Sequence, residues 1–164
     1  MITLRAITEE DIGEIKTWPT YKDGFEQMDY ALRQGGWLDE LRNRSDTWAY
    51  IAESNKQTVG FSLLSVTAKG EAEFRIAIHP HRTGRGFGRE VTLAILKIGF
   101  CELGMDRIYL IVRKNNYSAI KLYESLGFKK VGESIHTIQG RLVEFFDMDM
   151  AKESFRSPNV KETK

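Results

Sequence analysis

The stretch His79-Pro80-His81-Arg82-Thr83-Gly84-Arg85-Gly86-Phe87-Gly88-Arg89 constrains this chain more than any other. Glycines at 84, 86 and 88 stand between an apolar run ending at Ile78 and a long apolar helical run, from about Arg89 to Leu103, that closes at Gly104. Glycine lets the backbone turn sharply and bring its N–H groups close to a ligand. A helix beginning near residue 88 adds unpaired amides and the positive end of its dipole. Together these make an anion cradle suited to a pyrophosphate, with Arg82, Arg85 and Arg89 supplying nearby charge. The segment lacks the Gly-Lys-Ser/Thr ending of a P-loop, and Arg89 stands where a dinucleotide fingerprint wants its third glycine. The same glycines also fit a bare strand-to-helix turn, so the loop does not decide the matter by itself.

Around this segment the chain alternates strand and helix patterns. Ile2 to Ala6 reads as a short strand, and Thr8 before Glu9-Glu10-Asp11 marks a helix start. Phe25, Met28 and Leu32 fall at helical spacing, Gly35-Gly36 stops them, and Trp37, Leu38 and Leu41 form a second helical piece. Thr47–Glu53 and Thr58–Val66 read as a hairpin across Ser54-Asn55-Lys56. Phe74–Ile78 is a strand halted by His79-Pro80, and Ile108–Val112 is a strand apolar enough to be buried on both faces. Asn115-Asn116 cap a helix that ends at Gly127. Phe128 begins a return strand, and Arg141 to Met150 forms the last one. The order predicts an α/β domain over residues 1–151, with a mixed, largely antiparallel sheet of six to seven strands flanked by helices. Residues 152–164 form a polar tail expected to fray.

The chain has 164 residues, 41% of them apolar, enough for one core. Its 24 Lys and Arg balance 23 Asp and Glu, which argues against non-specific nucleic-acid binding. Cys101 is the sole cysteine, so neither an intramolecular disulfide nor a cysteine-based metal cage is expected. No leader-like segment and no apolar run long enough to cross a membrane occurs, and a cytoplasmic protein without membrane contact is the expectation.

The stretch from Phe74 to Gly132 resembles the GNAT superfamily of N-acetyltransferases. Thr83-Gly84-Arg85-Gly86-Phe87-Gly88 resembles that family's Gln/Arg-x-x-Gly-x-Gly/Ala signature, with Thr83 departing from it at the first position. Asn116-Tyr117-Ser118-Ala119-Ile120-Lys121-Leu122-Tyr123-Glu124-Ser125-Leu126-Gly127-Phe128 resembles its second signature. Gly99 to Leu110 is similar to a branch that includes ribosomal-protein N-terminal acetyltransferases and several amine and amino-sugar acetyltransferases. The resemblance implies a GNAT fold and direct transfer of acetyl from acetyl-CoA to a primary amine, by a monomer or homodimer with no metal. It implies that the amides of Arg82 to Arg89 hold the pyrophosphate. Ile76, Ala77 and Ile78 would pair their backbone with the pantetheine arm, Asn116 would touch that arm, and Tyr123 would protonate the departing thiolate. A non-catalytic acyl-CoA-binding module is the alternative that the departure at Thr83 leaves open.

An amine acceptor also needs a base or a water relay, because an alkyl ammonium holds its proton to a pKa of ~10. Glu71 and Glu73 alternate on one strand face where the family often carries a carboxylate; Glu73 is preferred, against the reading that both are solvated edge charges. Tyr123 has a competing reading as a core residue beside Ile120 and Leu126. His79, His81 and His136 read as structural or surface residues, and Cys101, among Ile98, Phe100 and Leu103, as a buried, inert thiol. Trp18, Tyr21, Phe25, Tyr30 and Trp37, interleaved with Asp23, Glu26, Asp29 and Asp39, suit either a cationic acceptor's pocket or ordinary core packing.

Overall fold

The computed structural model describes residues 1–21, 29–33, 36–40 and 44–155. The expectations placed on Asp23, Phe25, Glu26, Met28, Gly35 and Leu41, on the side chains of Asp29 and Tyr30, and on the tail after Phe155 lie outside the described residues. The strands are β1 (Thr3–Ala6), β2 (Thr47–Ser54), β3 (Gln57–Ala68), β4 (Glu71–Ile78), β5 (Arg107–Arg113), β6 (Lys129–Ile138) and β7 (Arg141–Ala151). The helices are α1 (Glu9–Ile15), α2 (Asp29–Leu32), α3 (Trp37–Glu40), α4 (Phe87–Lys97) and α5 (Tyr117–Leu126). The seven strands form one sheet in the order β1-β2-β3-β4-β5-β7-β6, and among the registered pairs only β4–β5 is parallel. The predicted α/β class with a mixed, largely antiparallel sheet therefore holds.

The chain divides into two compact units, residues 1–65 with 75–95, and 66–74 with 96–164. In the first, Thr8 caps α1 reciprocally: Asp11 N–H donates to Thr8 Oγ1 and Thr8 N–H donates to Asp11 Oδ2. Arg5 grips the same carboxylate with both terminal nitrogens, at 2.7 and 2.8 Å. Asn55 and Lys56, at φ 51° and 64°, make the tight turn between β2 and β3 that the polar trio foretold. Ile15, Trp18, Tyr21, Leu32, Leu38, Ile51, Phe61, Leu63 and Ala77 pack into one apolar cluster, against which Trp37 lies partly buried. The described aromatics of this region thus pack as core.

In the second unit, alternate residues of β5 (Ile108, Leu110, Val112) and of β7 (Met148, Met150) are buried. Gly127 ends α5 in the left-handed conformation at φ 109°, which a side chain would strain. The long helix departs from its prediction. It starts at Phe87, and after Lys97 the chain widens into a π-helical turn, Ile98–Glu102, closed by Leu103 N–H donating to Ile98 O. The wider turn sends Gly99 and Phe100 inward and Cys101 outward. Cys101 is exposed, which corrects its reading as a buried thiol. Past Ala151 the chain makes a 3₁₀ turn, Lys152–Ser154, and Phe155 packs on Phe100 with ring centroids 5.4 Å apart.

Candidate active site

In the first unit the glycine loop has the geometry its sequence demands. Gly84 and Gly86 sit at φ 77° and 84°, and a Cβ on either would meet nothing within 4 Å. Backbone conformation, rather than crowding, therefore requires glycine at both places. Glu90 N–H donates to Gly86 O, so α4 begins its hydrogen bonding there. The N–H groups of Phe87, Gly88 and Arg89 fall in the first turn, where a helix has no partner for them. Thr83, Gly84, Arg85, Gly86 and Arg89 are exposed. Arg82 is half-buried, its guanidinium donating to Gln57 Oε1, and its N–H closes the turn onto His79 O. Thr83 Oγ1 lies 3.4 Å from Pro80 O. The loop is thus an exposed run of backbone amides ringed by arginine.

Among the described residues, the strand that feeds this loop is unladdered on one side past Glu73. His79 N–H donates to Val59 O on β3, so alternation turns the backbone groups of Ala77 toward β3 and those of Ile76 and Ile78 the other way. On that other side the parallel ladder covers Glu71↔Arg107, Ala72↔Ile108 and Glu73↔Tyr109 and goes no further, although β4 continues to Ile78. One of the edge carbonyls, Ile78 O, accepts from the hydroxyl of Tyr21 at 2.5 Å. Among the described residues, the ladder with β5 does not reach the backbone of Ile76 or the N–H of Ile78, which leaves on that side the capacity an added strand, or an amide-bearing arm, would use.

His79, at the junction, is half-buried against Trp18, with ring centroids 4.7 Å apart, and its Nδ1 accepts from His81 N–H. Burial, with the charges of His81 and Arg82, pulls its pKa below the usual 6.5 and keeps the ring neutral at pH 7.

In the second unit Asn116 caps α5, its Oδ1 accepting from Ala119 N–H at 3.3 Å. Tyr123 lies on the inward face of that helix with only 8% of its surface exposed. Its ring packs edge-on against Phe74 at 6.3 Å and Phe128 at 5.7 Å. Among the described residues nothing hydrogen-bonds its hydroxyl, yet no buried side-chain oxygen there lacks a partner. The hydroxyl therefore keeps contact with solvent while the ring is enclosed. Desolvation raises its pKa well above the usual 10, so the group stays a proton donor throughout the physiological range. The ring of Tyr123 thus packs as core.

Glu73 is half-buried and opposite Tyr109 in the ladder, whose hydroxyl is 2.8 Å from Thr67 Oγ1. Glu71 is 3.9 Å from Arg107, which is bonded to Asp149 at 2.8 Å. Among the described residues no group of three or more His, Cys, Asp or Glu is arranged to hold a metal ion, and no helix is long and apolar enough to cross a membrane. Sequence reasoning missed Gln57, which steadies Arg82, and Tyr21 as a ligand of Ile78 O; a lone polar residue on a distant strand carries no signal of either.

An unladdered strand end running into an amide-lined loop, itself the start of a helix, sits within an α/β fold. The chain belongs to the acetyltransferase (GNAT) family, which residues 10–128 match. A spermidine N(1)-acetyltransferase of Vibrio cholerae is 39% identical over 113 residues, 63% of this chain and 65% of that protein. A mycothiol acetyltransferase of Thermobispora bispora is 33% identical over 114 residues, 59% of this chain and 37% of that protein. The chain spans little more than a third of the length of the first curated relatives it matches, 37% and 35%. A Vibrio cholerae spermidine N-acetyltransferase solved with CoA and spermine superimposes at a TM-score of 0.71 with 24% identity, over 93% of this chain and 96% of that one. That likeness bears on the fold.

Proposed function

We propose that this protein is an N-acetyltransferase that moves acetyl directly from acetyl-CoA to a primary amine in a ternary complex. The observation that carries the reading is the unladdered edge of β4 at Ile76 and Ile78 opening into the Gly84–Arg89 amides. Pantetheine has amides to pair with that edge, and its pyrophosphate matches the helix start, aided by Arg82, Arg85 and Arg89. Gripping this tail positions the thioester and lowers the entropic cost of reaction.

The acceptor nitrogen attacks the thioester carbonyl, a backbone N–H of β4 supports the developing oxyanion, and the C–S bond breaks. Tyr123 gives its proton to the departing sulfur. Glu73, directly or through water, removes the proton the amine must lose, and Asn116 contacts the cofactor arm. The phenol, its pKa raised by burial, holds its proton at neutral pH.

Among acceptors, a polyamine is favoured because spermidine acetyltransferases recur among the relatives. A peptide N-terminus is the second class, from the resemblance to the ribosomal-protein branch. We place the activity in the cytoplasm. A turnover screen with acetyl-CoA against polyamines, amino sugars and N-terminal peptides tests the reading: CoA release with at least one class supports it. Tight acetyl-CoA binding without turnover on any of them replaces it with the acyl-CoA-binding module.

A further inference from the structure

We propose that His79 is a positioning residue for the ligand loop, its Nδ1 lone pair fixing the turn through which β4 hands the chain to the Gly84–Arg89 amides. The inference rests on the reading of that loop as a pyrophosphate receptor and adds a side chain to it. His79 is tied at three points. Its N–H donates to Val59 O on β3, the last bond that β3 receives from this strand's end. Its carbonyl accepts from Arg82 N–H at 2.8 Å, closing a turn with Pro80 at the second position, where a fixed φ is favoured. Between these, the N–H of His81 goes to a side chain rather than a strand: Nδ1 of His79 accepts from it at 3.0 Å. Backbone bonds pin the two ends of the turn, and the imidazole pins its middle.

A bond from a side chain to the amide two residues on is the one that asparagine and aspartate make in turns. Histidine makes it here with an added aromatic body, which packs on Trp18 at 4.7 Å between ring centroids and so reaches the apolar cluster. Accepting at Nδ1 also fixes the tautomer. The neutral ring carries its proton on Nε2 and keeps no lone pair for use as a general base. Beyond the turn, Gly84 and Gly86 give the loop a backbone that samples more conformations than any other residue would allow. Bracing the entry to such a loop lowers the ordering cost that a bound ligand must meet.

Protonation at Nδ1 would set a donor against the donor of His81 and undo the brace. Among the described residues, the charged or titratable groups that act on His79 are His81 and Arg82, both from the loop, and Arg82 is held by Gln57. The chain after α1 contributes Trp18 and β3 contributes the Val59 carbonyl, neither of them charged. Burial first, then those two positive neighbours, pull the pKa of His79 below 6.5. The brace is therefore intact at neutral pH and is lost as the pH falls through the lowered value.

Calorimetric titration of the full chain with 3′-dephospho-CoA tests this, because that ligand keeps the pyrophosphate and lacks the phosphate monoester that titrates near pH ~6. His79→Phe keeps a ring against Trp18 and removes the acceptor, whereas His79→Asn keeps an acceptor at the Nδ1 position and removes the ring. Affinity should follow the acceptor: His79→Phe loses about five- to tenfold, and His79→Asn stays within about twofold of wild type. Stability to denaturant should follow the ring and fall further in His79→Asn. Equal affinity losses in the two variants, or a loss in His79→Asn alone, overturn the proposal. His81 and Arg82 are common to all three proteins, so their charges cancel in affinity ratios. As the pH falls from about 7.5 to about 5, wild type should approach His79→Phe and drop below His79→Asn. Constant ratios overturn the proposal, and either variant alone carries this arm if the other fails to fold. A wild type that binds no dephospho-CoA removes the receptor reading and this inference with it; binding with the wrong order of variants removes the inference alone.

Discussion

The glycine loop at 79–89 and the aromatic cluster of Trp18, Tyr21 and Phe61 belong to one compact unit and use opposite means. The loop leaves its backbone in solvent, with space for any side chain and a conformation that admits almost none. The cluster hides its side chains, which could be other apolar residues if volume were kept. Function resting on backbone dihedrals writes itself into sequence as glycine at fixed spacing; function or stability resting on packing leaves only a periodicity shared with every core. Tyr21 ties the two together through Ile78 O.

The largest effect should come from breaking the cluster. Trp18→Ala removes a ring that packs on Phe61 and His79 and should cost about 3 kcal/mol or more, read by chemical denaturation. Retained stability would mean that the cluster is not core. Tyr123→Phe tests the one aromatic that combines both modes. Because nothing among the described residues bonds its hydroxyl, stability should be unchanged, while kcat falls about 100-fold with acetyl-CoA affinity nearly constant. Unaltered kcat would return Tyr123 to a purely packing role.

Gly86→Ala addresses the loop alone. With open space around the new methyl, the strain of positive φ, about 1–2 kcal/mol, is the only penalty, and acetyl-CoA binding should weaken about tenfold by calorimetry. Gly13→Ala, also in open space but without the positive φ, should leave binding untouched.

The smallest effect concerns Asp11. Hydrogen bonds from Arg5, opposed in part by burial and aided by those from Thr8, lower its pKa from 3.8 to about 2. A depressed folded pKa means that its contribution is complete above the unfolded value and is lost as the pH falls through about 2. Screening through the exposed Arg5 holds this to on the order of 1 kcal/mol. Asp11→Asn should therefore be less stable than wild type at pH 7 and nearly equal to it at pH 2, by thermal unfolding.

Much of the fold was legible because period and punctuation agreed: Thr8 before acids, Asn116 before an apolar helix, glycine at 104 and 127. The π-turn at Ile98–Glu102 was not, because one added residue in a turn changes which side chain faces inward without changing composition, and Cys101 was misplaced accordingly. Of the candidate site, glycine positions and the core-facing Tyr123 could be read directly. The end of the β4–β5 ladder at Glu73 could not, since both strands remain apolar past the point where pairing stops. That point depends on a geometry no single strand's sequence carries.

Calorimetric titration of acetyl-CoA, run in parallel with 3′-dephospho-CoA and with free pantetheine, most directly tests whether strand edge and loop form one receptor. Acetyl-CoA and the dephosphorylated form should bind comparably, pantetheine far more weakly, and Gly86→Ala should narrow that gap by weakening only the pyrophosphate-bearing ligands. Equal affinity for pantetheine and acetyl-CoA, or no binding of acetyl-CoA at all, would contradict the account.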